Sequence, residues 1–206
     1  MTRTAALKHL KKVDPRLYAA TRSHHASLPD RLPRKRTRGA LFASLISSTV
    51  VSQQLGLAAA AAILSRVKKA CGGRLSVSSV LKVRPAALRT AGLSGSKVKT
   101  ISTIAVAIKN KKLDLLSLRR ISEAEAAEAL MRMWGLGPWS VEMFMMFALG
   151  RGDVFSPGDL GLARAMEALY SLPKGASRKK LLTIAQIWSP HRTYASLLLW
   201  ASRDKT

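Results

Sequence analysis

Of the 11 carboxylates in this 206-residue chain, Asp159 has the setting best suited to chemistry. It follows Ser156-Pro157-Gly158 and precedes Leu160-Gly161-Leu162-Ala163, so it stands where a helix begins. A helix N-terminus favours an anion. A carboxylate held there can stabilise a developing cation, or orient and deprotonate a water. The same position suits an ordinary N-cap aspartate, so position alone leaves both roles open. The other acids have plainer settings. Asp14, Asp30, Asp114 and Asp204 fall in polar or terminal surroundings, and Glu123, Glu125 and Glu128 share one helix start. Asp153 lies in a turn and Glu167 in mid-helix. Glu142 is the one charge in an apolar run and reads as a buried structural acid that needs an arginine partner.

About twenty residues before Asp159, Gly135-Leu136-Gly137-Pro138 joins two helix-like runs with almost no linker. Glycine permits positive φ and close backbone approach. Pro138 suits the first position of the second helix, whose free amides then face outward. Such amides bind phosphate through the main chain and ignore base sequence. The carbonyls of the turn, facing the other way, can hold a monovalent cation against the same phosphate. Gly135 and Gly137 are therefore candidate phosphate contacts, and Asp159 is expected to act beside them. A plain corner between two packed helices needs the same residues.

Helices must position these groups. Ala, Leu, Lys and Arg dominate and β-branched alternation is almost absent, which predicts an all-α protein. Helices are expected over 4–12 and 14–24, with Pro15 at a start, and an exposed basic connector over 27–38. An apolar helix over 40–56 ends in Gln53-Gln54, and an Ala-rich one over 57–71 stops at Gly72-Gly73. Short helices near 77–82 and 85–90 precede one ending near Lys109, capped by Ser94 or Ser96. Lys97 and Lys99 in its first turn oppose the helix dipole, a misfit that a bound phosphate relieves. Ser122 and Glu125 have capping-box spacing at the head of the central unit. The helix over 138–150 is apolar almost all round, so it should be central and buried. Helices over 160–170, 176–187 and 190–201 complete the chain.

Charge narrows the partner. There are 35 Lys and Arg against 11 Asp and Glu, a net +24. Residues 1–120 carry 25 basic and 3 acidic side chains, and the remainder carry 10 and 8. A field of that sign and asymmetry points to nucleic acid. One cysteine, Cys71, excludes a disulfide framework, a zinc finger and a four-cysteine iron–sulfur cluster. No apolar run spans a membrane, and the N-terminus is too polar for a secretory signal, so an intracellular protein is expected. The stretch from Pro33 to Arg38 reads as a nuclear address or a phosphate-binding arm.

Taken together, the hairpin, the Gly/Pro-rich loop and the aspartate resemble the helix-hairpin-helix superfamily of base-excision DNA glycosylases. The segment GLGPWSVEMFMMFALGRGDVFSPGDLGLARA resembles its 3-methyladenine DNA glycosylase II, or alkylbase glycosylase, branch. VVSQQLGLAAAAAIL, AGLSGSKVKTISTIA and WSPHRTYASLLLW fit as well, and the likeness covers about residues 40–201. The resemblance implies a two-lobed helical bundle with the active site in the cleft between lobes. It implies basic N-terminal helices and a connector over 1–38, then a glycosylase domain over 39–206 with its hairpin at 121–150. It makes Asp159 the catalytic aspartate and puts Trp139 where lyase-type relatives carry a nucleophilic lysine. A tryptophan forms no Schiff base, so strand cleavage is not expected. Trp200 matches an aromatic facing the extruded base, and Trp139 can share that pocket. Gln54 matches the wedge that fills the gap in the duplex. Gly135, Gly137 and Lys97 are the expected DNA contacts. The carbonyls of Met131, Met133 and Leu136 match ligands for a structural Na+ or K+, and no cofactor is required.

The expected activity is monofunctional release of alkylated purines from double-stranded DNA by a monomer. It would work in the nucleus of a eukaryote, or in the cytoplasm and nucleoid of a prokaryote. Two alternatives remain: a glycosylase for deaminated or mismatched bases, and a damaged-DNA binder that has kept the fold without catalysis.

Overall fold

A computed structural model of the chain describes residues 1–51 and 57–203, without the side chains of 49–51 and 57. Among the described residues there is no strand, as the composition predicts. The α-helices are α1 (Arg3–Val13), α2 (Pro15–Ala20), α3 (Arg38–Val51), α4 (Leu57–Ala70), α5 (Val77–Lys82) and α6 (Pro85–Thr90). They continue with α7 (Gly95–Lys109), α8 (Glu123–Met131), α9 (Pro138–Phe144), α10 (Leu160–Tyr170), α11 (Arg178–Ala185) and α12 (Arg192–Ala201). Their limits follow local chemistry. Ser94 caps α7 through the Lys97 amide, and Ser122 with Glu125 forms a reciprocal capping box on α8. Gly72 and Gly73 leave α4 at positive φ. No described helix is long and apolar enough to cross a membrane.

The chain forms two compact units, one of residues 34–149 and one of 1–33 with 150–206. In the first, α3 packs on α4, α7 and α9, and α5 packs on α7. Phe42, Leu45, Ile46, Ile101, Ile104, Leu130, Val141 and Phe144 are buried in this unit. Each such burial contributes about 1.5–3 kcal/mol. The apolar run after Pro138 departs from expectation. It is α-helical only to Phe144 and continues as a π-turn over Met145–Leu149. Phe147 is 39% exposed and Glu142 is half-buried, so this segment is not sealed on every face.

In the second unit, α1 packs on α2 and α12, and α10 packs on α2 and α12. Its core joins Ala6, Leu10 and Leu17 to Leu162, Met166, Trp188 and Leu198. The first helices are thus part of a core completed by the last ones. Asp14 is the clearest correction. Expected in polar or terminal surroundings, it is buried. It caps α2 through the Leu17 amide (2.9 Å) and accepts the Tyr170 hydroxyl (2.6 Å) and the Trp188 indole N–H (2.7 Å). Burial, with this carboxylate beside it, pushes the Tyr170 phenol far above its ordinary range. The gain is satisfaction of buried donors that would otherwise lack a partner.

Candidate active site and DNA-binding hairpin

Asp159 is the N-cap of α10, with Oδ1 accepting the Leu162 amide at 2.8 Å. The capping role is therefore real. The same Oδ1 also accepts the Trp200 indole N–H at 2.9 Å, a bond that no helix cap requires. Both side chains are half-buried, so the carboxylate is oriented without being sealed inside the protein. Trp200 was expected as an aromatic face. Its polar edge serves the aspartate, a link across 41 positions that spacing along the chain does not reveal.

A second set of bonds ties the loop carrying Asp159 to the helix carrying Trp200. Arg192, at the start of α12, grips Asp153 with Nε at 2.8 Å and Nη2 at 3.0 Å. Ser189 donates to the same carboxylate at 2.7 Å. Thr193 Oγ1 donates to the Arg151 carbonyl (2.8 Å) and accepts the Val154 amide (3.1 Å). Asp153 is therefore more than a turn residue. Burial pushes its carboxyl upward, but the bonds from Arg192 and Ser189 and the guanidinium charge together hold it below the usual carboxylate range. A depressed folded pKa means stability that is complete above the ordinary carboxylate pKa of about 4 and is lost as pH falls through the lower folded value. The urea midpoint of the wild type should fall more between pH 7 and pH 3 than that of Asp153→Asn. Equal falls would show that this pair contributes nothing.

The hairpin lies in the 34–149 unit. Gly135 has φ +83°, and the Leu136 amide bonds back to the Met133 carbonyl at 3.1 Å. Gly137 is the N-cap of α9 (φ −94°, ψ 169°) and Pro138 is its first residue, as expected. A Cβ on Gly135 would run into the side chain of Thr100, so α7 lies directly against the turn. That close approach explains why the basic first turn of α7 belongs to the same surface. Lys97 is half-buried, and burial pushes its amine below the ordinary range. Lys99 stands 4.2 Å over the ring of Trp134, which is 44% exposed. This cation–aromatic pair beside the turn was not anticipated, because only the fold brings position 99 to position 134. Trp139 is half-buried in the first turn of α9. Leu136 is buried and Met131 is 49% exposed. Their carbonyls, with that of Met133, are hard neutral donors suited to Na+ or K+. Met133 shares its oxygen with one amide, which leaves a second lone pair for a cation. Gln54 lies outside the described residues. No group of three or more His, Cys, Asp or Glu able to hold a metal occurs among the described residues.

One unit thus offers an oriented carboxylate beside an indole, and the other a glycine turn flanked by cations. Residues 47–190 match the HhH-GPD superfamily of base excision DNA repair proteins. Over 154 residues the chain is 32% identical to DNA-3-methyladenine glycosylase 1 of Schizosaccharomyces pombe, covering 73% of this chain and 68% of that protein. A crystal structure of a DNA-3-methyladenine glycosidase from Bacillus halodurans is 37% identical with a TM-score of 0.78, covering 96% of this chain and 88% of that one. The S. pombe 3-methyladenine DNA glycosylase in complex with abasic DNA is 29% identical with a TM-score of 0.83, covering 95% of each chain. The chain spans 31%, 68% and 59% of the length of three curated relatives from Bacillus subtilis, S. pombe and Saccharomyces cerevisiae.

Proposed function

Because the chain belongs to the HhH-GPD superfamily of base excision DNA repair proteins, we propose that it is a monofunctional DNA glycosylase for alkylated purines in duplex DNA. The substrates proposed are 3-methyladenine, the base in the names of its relatives, and 7-methylguanine, which carries the same kind of charge. The observation that carries this reading is the Asp159 carboxylate, half-exposed and turned by the Trp200 N–H.

The chemistry suits a single acid. A base inside a duplex is out of reach, so its nucleotide must be flipped out at a cost of about a few kcal/mol. Stacking on aromatics such as Trp200 and Trp139, and phosphate contacts at Gly135, Gly137 and Lys97, offset that cost. A purine alkylated at N3 or N7 is already cationic and leaves without a general acid. The glycosidic bond breaks with its electron pair going to the purine, and the sugar carbon becomes electron-deficient. Asp159 stabilises that centre and orients the water that captures it, accepting its proton. Ordinary glycosidases need a second carboxylate because their leaving groups must be protonated. A monovalent cation held by the Met131, Met133 and Leu136 carbonyls would strengthen the grip on phosphate. The enzyme acts as a monomer wherever the cell keeps its DNA.

Release of methylated bases from treated duplex DNA is the direct test, run beside uracil- and hypoxanthine-containing duplexes. Release from the methylated duplex is the expected result. Release only from the deaminated ones would assign a different substrate, and binding without any release would make the protein a lesion binder. Trp139 adds a second expectation. With no amine at that position, borohydride should trap no covalent protein–DNA adduct, and the abasic product should keep an intact strand. A trapped adduct would assign lyase activity to another amine.

A further inference from the structure

We propose that Gly161 is a positioning residue for this reaction, because its lack of a side chain lets the Trp200 indole dock on the Asp159 carboxylate. The inference rests on the catalytic reading of Asp159 given above. Gly161 is the second residue of α10, where glycine is disfavoured relative to alanine unless something else demands it. Its backbone does not demand it, since it is not among the glycines at positive φ. The demand is steric. A Cβ at this position would stand 2.9 Å from Asp159 Oδ1 and 3.2 Å from both Cδ1 and Nε1 of Trp200. Those are the acceptor and donor of the 2.9 Å bond that orients the carboxylate.

The atoms that would have to yield are ends of side chains. Oδ1 can turn while keeping the Leu162 amide that makes it the cap, so the helix and its core stay in place while the Trp200 N–H is pushed away. Stability and turnover should respond in opposite directions, which a structural role for this glycine would not produce. Alanine restores helix propensity, so Gly161→Ala should unfold at the same or a higher temperature than the wild type.

The test measures single-turnover release of methylated purine, affinity for a duplex carrying an abasic-site analogue, and Tm. The variants are Gly161→Ala, Trp200→Phe, the double variant and Asp159→Asn. Gly161→Ala should lose roughly tenfold or more in the release rate, the effect of disturbing a hydrogen bond to a charged acceptor. Its affinity for the analogue should stay within about twofold, and its Tm should not fall. The double variant should lose little more than the larger single loss, since both changes act through one carboxylate. Wild-type release by Gly161→Ala, losses that multiply in the double variant, or a lowered Tm would each overturn the inference. If Asp159→Asn loses activity in that same experiment, the catalytic reading survives on its own. If Asp159→Asn releases base like the wild type, the catalytic reading itself falls.

Discussion

Asp159→Asn should release 3-methyladenine from duplex DNA about 10²–10³-fold more slowly than the wild type in single turnover, with Tm and DNA affinity nearly unchanged. The magnitude is that of removing one oriented electrostatic group aimed at developing charge. Asparagine keeps an oxygen for the Leu162 amide and the Trp200 N–H, bonds of 2.8 and 2.9 Å in the native protein. It is also as good an N-cap as aspartate, so α10 has no reason to fray. Only the negative charge and the base function disappear. Asp159→Ala separates the two roles, because it should lose activity and about 1 kcal/mol of stability with the cap. Undiminished release by the asparagine variant would leave Asp159 as a cap and nothing more.

The second large effect is expected at the hairpin. Gly135→Ala should bind duplex DNA more than tenfold more weakly and lose about 2 kcal/mol or more of stability. Two costs combine. The φ of +83° is a region where an L side chain costs about 1–2 kcal/mol. The new methyl also meets Thr100, which is 3% exposed and anchored by a 3.0 Å bond to the Ser96 carbonyl, so it has little room to retreat. In a protein of this size the loss should lower Tm by roughly 4 °C or more. Gly137 provides the contrast. Its φ of −94° suits any residue, and nothing lies within 4 Å of where its Cβ would be. The protein itself accepts an alanine there. A fall in DNA affinity for Gly137→Ala at unchanged Tm would therefore measure how closely the DNA backbone approaches. Unchanged affinity in both variants would remove the hairpin from the binding surface.

The contrast between these glycines shows what a sequence discloses. Turn chemistry is local, so the hairpin, the Ser122–Glu125 box and the stop at Gly72-Gly73 were legible before any coordinates. Asp159 stood out as an acid at a helix start in a chain with few acids, but only the family resemblance, not its position, marks it as catalytic. Contacts between distant positions were not legible. Asp14 looks like an acid in polar surroundings until Tyr170 and Trp188, over 150 positions away, close over it. One signal was available: a tyrosine and a tryptophan in apolar helices need an acceptor, and acids are scarce. The Asp153–Arg192 clamp and the Trp200 bond were hidden for the same reason. Hydrophobic periodicity places a residue on a face but does not name its partner. The π-turn at Met145–Leu149 also leaves no trace in an unbroken apolar run.

The unit that holds Asp159 is built from both ends of the chain, with residues 34–149 inserted between them. A ribosome delivers those ends at different times. Leu10 and Leu17 leave it well before Trp188 and Leu198, their partners in the core. The inserted segment is finished earlier and has its own buried side chains. Folding during synthesis should therefore complete the 34–149 unit before the unit that holds Asp159. A nascent chain halted once residue 149 has cleared the ribosome would carry the hairpin on a packed core while the Asp159 loop still lacked the helix that holds Trp200.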